Sequence, residues 1–100
     1  MKVSVIGAGS WGTALSQAIV DNKNELLLYA RSEVARDEIN NNHTNSRYLK
    51  NIVLPDEVKA TSDLEEAVKF ADVIVIAVPT KVMRETANKI NQYLDKPKYI

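Results

Sequence analysis

The chain has 100 residues, 45% of them hydrophobic and 26% charged, which suits one domain with one core and is too short for two. Thirteen basic side chains offset thirteen acidic ones, so no net field draws the domain to nucleic acid or to an anionic membrane, and any anion site must be local. With no cysteine, disulfides and thiolate chemistry are excluded, and a single histidine argues against a protein-only zinc site.

The pattern opens with Val3, Val5 and Ile6, a β-branched run bounded by Gly7 that predicts a buried strand. The run is too short for a signal peptide or a membrane span, so a cytoplasmic location is expected. From Ser10 the period changes. Trp11, Ala14, Leu15, Ala18 and Ile19 recur at three- and four-residue steps and predict an amphipathic helix ending near 21–24, with these residues as its apolar side. Leu26, Leu27, Leu28 and Tyr29 predict a second strand, and Ser32 caps a helix carrying Val34, Ala35 and Ile39. A polar connection is expected from Asn40 to about Lys50.

Val58, Lys59 and Ala60 form a weak third strand. Ser62, Asp63, Leu64 and Glu65 read as a capping box opening a helix whose apolar side is Leu64, Ala67, Val68 and Ala71. The unbroken run from Asp72 to Val78 predicts a strand buried on both faces, as in a parallel sheet, and Pro79 stops it. A helix from about Lys81 is expected to bury Met83, Ala87, Ile90 and Leu94, and Lys98, Tyr99 and Ile100 begin a fifth strand. Strands and helices alternate without hairpin turns, which is the pattern of right-handed βαβ units. The predicted class is α/β: a Rossmann-type open parallel sheet, strand order 3-2-1-4-5, with helices on both faces.

Gly7, Gly9 and Gly12 fit the G-x-G-x-x-G pattern between the first strand and the first helix, the context in which that pattern binds a dinucleotide. Gly7 permits the turn, Gly9 lets a pyrophosphate approach the backbone, and Gly12 lets the helix pack closely on the strand. The N–H groups around Ser10 and Trp11 then face the ligand at the positive end of the helix dipole. The second strand ends on Arg31, where NAD-specific folds place an acidic residue. A guanidinium suits a 2′-phosphate and cannot accept from a ribose diol, which favours NADP, but Glu33 is near enough in sequence to reach the ribose. The choice between NADP and NAD therefore stays open. Pro79 follows the fourth strand across the switch point from the glycine turn. Thr80 either caps the next helix or lines the cofactor crevice.

Several segments together resemble the N-terminal domain of bacterial NAD(P)-dependent glycerol-3-phosphate dehydrogenases. They are Gly7 to Leu15, Leu28 to Arg31, His43-x-Asn45-x-x-Tyr48-Leu49, Leu54-Pro55, Ala60 to Leu64, and Ala77 to Thr80. Tyr29 stands where that family often has tryptophan, and Lys50 where proline commonly follows Tyr-Leu. The resemblance implies interconversion of sn-glycerol 3-phosphate and dihydroxyacetone phosphate for phospholipid synthesis, with NADPH contacts from Ser10, Trp11, Arg31 and Tyr48. It also implies that residues 1–100 are the dinucleotide-binding domain. The catalytic lysine and the substrate contacts are then expected beyond residue 100, and the chain alone is expected to be inactive. Homodimerisation of the full-length protein is left open. The competing expectation is a free-standing dinucleotide-binding or redox-sensing module without catalysis.

Overall fold

The computed structural model describes residues 1–95. Their elements alternate as the sequence predicts: β1 (Lys2–Ile6), α1 (Ser10–Asp21), β2 (Glu25–Tyr29), α2 (Glu33–Asn42), β3 (Val58–Thr61), α3 (Leu64–Phe70), β4 (Val73–Ile76), a short 3-10 turn (Thr80–Val82) and α4 (Met83–Tyr93). Among the described residues the sheet has four strands in the order β3-β2-β1-β4, all parallel. The expected fifth strand at Lys98 to Ile100 lies outside the described residues.

Side chains alternate across this sheet with the period of two that a pleated strand imposes. Val5, Leu26, Leu28, Val58 and Ala60 face one way and join Val20 of α1 and Ile39 of α2 in one core. Ile6 and Ile74 face the other way and pack with Ala67 and Val68 of α3 and Ile90 of α4. Both faces are therefore covered by helices, as expected for parallel strands. β4 is shorter than the predicted 72–78 run, and only its Ile74 is fully buried. It is the edge strand among the described residues, which leaves Val73, Val75 and Ile76 half-covered.

Three predicted faces are corrected. In α1, Trp11, Ala14 and Ala18 are exposed, and the face on the sheet is Gly12, Thr13, Ser16 and Val20. The cause is closeness: a Cβ on Gly12 would stand 1.8 Å from the Gly7 carbonyl oxygen, so only small side chains fit where the helix starts. In α2, Val34 is exposed and only Ile39 is fully buried. In α4, Ile90 is buried, Met83 and Leu94 are half-buried and Ala87 is exposed. This helix packs beside α3 through Ile90, with Tyr93 and Leu94 partly covered next to it.

The caps also shift. Asp63, not Ser62, caps α3, its carboxylate accepting from the Glu65 and Glu66 backbone N–H groups at 3.0 and 3.4 Å. Helix α2 runs to Asn42, taking in the first three residues of the expected loop, and Asn40 there pairs with the Ala60 backbone through both its amide nitrogen and its oxygen. His43 then closes α2 in the left-handed conformation at φ 59°.

Candidate functional site

Ile6, Tyr29, Thr61 and Ile76 lie in register, so the chain leaves β1, β2, β3 and β4 along one edge of the sheet. β1 sits between β2 and β4, and the connections from it and from β4 leave to opposite faces. That reversal opens a crevice outside the carboxyl ends, the position at which open α/β sheets take their ligands. The glycine turn, Ala30 to Ser32 and Ala77 to Pro79 converge there.

The three glycines of the turn exist for different reasons. Gly7 has φ +122°, and a Cβ on it would stand 2.3 Å from the Ala77 carbonyl oxygen. Gly12 is held against the Gly7 carbonyl. Gly9 has an ordinary φ of −77° and no protein atom within 4 Å of where its Cβ would be. Neither backbone strain nor protein packing requires glycine at that position. Gly9 also begins α1, whose N-terminus has no side-chain cap and no acidic residue in its first turn. Helices α2 and α3 are capped by Ser32 and Asp63. The positive end of α1 is thus left for something other than a side chain of its own.

A strap from His43 to about Leu54 closes over the turn, doubled on itself through a 2.6 Å bond from the Leu54 N–H to the His43 carbonyl. Its anchor is Asn45, which is 1% exposed and whose amide donates at 2.9 Å to both the Ala8 carbonyl and the Thr13 hydroxyl. Ser10 donates its hydroxyl to the Tyr48 carbonyl at 3.3 Å. On the other side, Glu38 of α2 accepts from the Thr44 hydroxyl at 2.7 Å and the Ser46 N–H at 2.8 Å. These bonds hold the Glu38 carboxyl below its ordinary pKa, the Thr44 hydroxyl contributing most.

Two hollows flank the end of β2. One, of about 630 Å³, lies between Gly9, Arg31, Ser32, Glu38, Arg47 and Tyr48. The other, of about 480 Å³, lies on the α3 and α4 side between Gly7, Arg31, Tyr48, Leu64 and Pro79. Gly9, Arg31 and Tyr48 belong to both.

Against known families, residues 2–100 match the model described as "NAD-dependent glycerol-3-phosphate dehydrogenase N-terminus". The chain belongs to this family. A glycerol-3-phosphate dehydrogenase [NAD(P)+] of Streptococcus sanguinis is 51% identical over 94 residues, which are 94% of this chain and 28% of that protein. The corresponding protein of Streptococcus uberis is 48% identical over 94 residues, with the same coverage. The crystal structure of glycerol-3-phosphate dehydrogenase from Coxiella burnetii superposes with a TM-score of 0.88 at 29% identity, covering 97% of this chain and 30% of that one. That of Saccharomyces cerevisiae gives 0.86 at 29% identity, covering 95% and 31%. The chain therefore spans less than a third of the length of the relatives it matches.

Within this glycerol-3-phosphate dehydrogenase fold, Gly7, Gly9, Arg31, Tyr48 and Pro79 line the two hollows. Gly12 lies behind the turn, Ser10 reaches the strap, and the Trp11 ring stands 69% exposed at the start of α1. Thr80 neither caps a helix nor lines a hollow: it is the first residue of the 3-10 turn, and the residue before α4 is Val82. Glu33, at the start of α2, lines neither hollow. His43 also lies outside both, its Nε2 3.4 Å from Asp56. Asn45 and Arg47 are residues that motif reasoning passed over. The signal for Asn45 was its place in the His43-x-Asn45-x-x-Tyr48 segment, and for Arg47 a cation embedded in that polar run.

Among the described residues no helix is long and apolar enough to cross a membrane, and no cluster of three or more histidine or acidic side chains is placed to hold a metal ion.

Proposed function

We propose that residues 1–100 are the cofactor-binding domain of an NAD(P)-dependent glycerol-3-phosphate dehydrogenase, with the substrate domain encoded beyond them. The observation that carries this reading is Gly9. It is a glycine that neither its own backbone nor its neighbours require, set at the uncapped start of a 12-residue helix. Its bare backbone fits a pyrophosphate, which needs close approach to N–H groups and no Cβ in the way.

In this arrangement the N–H groups of Ser10 and Trp11 hold the pyrophosphate, and Gly7 and Gly12 keep the turn against the sheet. Arg31 faces the 2′-phosphate of NADP, Tyr48 covers the glycine turn and Pro79 forms the far wall. A bound nicotinamide supplies the hydride; the residues of this chain bind and orient it. The reaction assigned to the whole protein is interconversion of sn-glycerol 3-phosphate and dihydroxyacetone phosphate, serving phospholipid synthesis in the cytoplasm. General acid catalysis needs a protonated group within hydrogen-bond reach of the substrate oxygen. His43 is turned toward Asp56, Lys81 lines neither hollow, and Lys89, which lines the smaller one, is paired with Glu85 at 3.2 Å, so that group is assigned to the remainder of the protein.

Parallel assays of the 100-residue chain and of the natural full-length protein test this reading. The short chain is expected to bind NADPH without reducing dihydroxyacetone phosphate, and the full-length protein to turn over. Absence of NADPH binding to either would remove the cofactor assignment. Hydride transfer by the short chain, free of host enzyme, would move the chemistry into residues 1–100.

A further inference from the structure

The larger hollow holds a second cation beside the arginine at the end of β2. Arg31 lines it from the end of β2, and Arg47 lines it from the strap. Among the described residues, neither guanidinium has a carboxylate within ion-pair distance. Arg36 of α2, outside the hollow, shows the ordinary alternative, bonded to Asp37 at 2.9 Å and to Ser62 at 2.7 Å. The one carboxylate in the hollow, Glu38, is already turned to the strap through Thr44 and Ser46. Two cations against one engaged anion leave the hollow locally positive in a chain whose total charge is zero.

Arg47 is also held in place. Its guanidinium carbon lies 5.5 Å from the centre of the Tyr48 ring, over its neighbour's face. The strap that carries it is fixed at Asn45 to the glycine turn and at Thr44 and Ser46 to α2. A long cationic side chain on a fixed segment loses less freedom on engaging a ligand than one on a free loop. We infer that Arg47 is a specificity-determining residue, the second arm of a two-arginine clamp that closes with Arg31 on the 2′-phosphate of NADP. Two planar forks lining one hollow match the dianion and its several acceptor oxygens, and the ribose diol of NAD offers them no charge. The inference rests on the cofactor reading above and adds to it the residue that selects between the two dinucleotides.

The test measures dissociation constants for NADPH and NADH, and for adenosine 2′,5′-bisphosphate and adenosine 5′-monophosphate, in the full-length protein. Arg47→Ala, Arg47→Lys and Arg31→Ala are compared with the unsubstituted protein, with thermal melts as fold controls. Arg47→Ala is expected to cut the preference for the 2′-phosphorylated ligand of each pair by roughly tenfold or more, the loss of a charged hydrogen bond. Arg47→Lys should keep part of it, having the charge without the fork. A purely structural Arg47 would weaken both ligands of a pair alike and leave the preference unchanged, which overturns the inference. If Arg31→Ala abolishes the preference while Arg47→Ala does not, Arg31 holds the phosphate alone and only the clamp fails. If neither substitution moves it, the assignment of the 2′-phosphate to this hollow fails as well.

Discussion

On the inner side of the glycine turn, Gly7 and Gly12 face protein that leaves no room for a side chain; on its outer side, Gly9 faces open space. The same residue type thus answers two unrelated demands within six positions. The inner glycines let helix and strand approach, a requirement of folding. The outer one meets no such demand from the fold, which is the feature the proposed pyrophosphate contact accounts for. The helix starts differ as well: α2 and α3 carry side-chain N-caps, α4 follows directly on a 3-10 turn without one, and α1 begins bare at the glycine turn.

Substitutions on the inner side should do the most damage to stability. Gly12→Ala places a methyl carbon 1.8 Å from a backbone oxygen, with no flexible side chain to yield. Relief requires moving α1 off β1, at about 3 kcal/mol or more, the upper range for overpacked cores. Urea denaturation checks this, and a loss below about 1 kcal/mol would mean that the helix stands further from the turn than described.

Next in size is the strap anchor. Asn45→Ala strands the part-buried Ala8 carbonyl and the buried Thr13 hydroxyl, a cost of about 1–3 kcal/mol for unsatisfied buried groups. The same variant should loosen the turn for ligand, so its effect on NADPH binding ought to exceed that of a stability-matched core change such as Ile90→Val. Equal effects on binding would make the strap a passive cover.

Glu38 gives a smaller effect, with a sign fixed by its environment. Its folded carboxyl is held below the ordinary value by Thr44 and Ser46, so it contributes stability that is present above the unfolded pKa of about 4.3 and is lost as pH falls through the lower folded value. The stability gap between the unsubstituted protein and Glu38→Gln should be widest near neutrality and close in acid. A gap that is constant from neutral to acid pH would show that the Glu38 bonds do not distinguish the charged form.

Much of the fold was legible because periodicity reports element type directly: the β-branched runs at Val3 to Ile6 and Val73 to Ile76 and the helical spacing after Ser10 all fall where expected. The buried face of α1 was not legible, since hydrophobicity points to Trp11, Ala14 and Ala18 while the contact is made by Gly12, Thr13 and Ser16. Size, set by the closeness of helix and strand, overrides polarity there, and the Ser16 hydroxyl is satisfied within its own helix by the Gly12 carbonyl at 2.8 Å. At the site, the glycine turn and Arg31 could be read from spacing because both belong to one local unit. Asn45 and Arg47 reach the turn only through the path of a strap 32 to 37 residues away from the groups Asn45 bonds, and local pattern carries no record of such a return.

Gly9→Val should have the smallest effect on the fold and the largest on the ligand. Its backbone angles suit any residue and its Cβ meets no protein atom, so the expected stability change is at most about 1 kcal/mol, that of a poorer N-cap. Calorimetric titration of the full-length protein with NADPH, beside a thermal melt of the same sample, measures both quantities at once. The expected result is a nearly unchanged melt with no detectable NADPH binding. Unchanged NADPH affinity with the fold intact would contradict the assignment of Gly9, and with it the dinucleotide site.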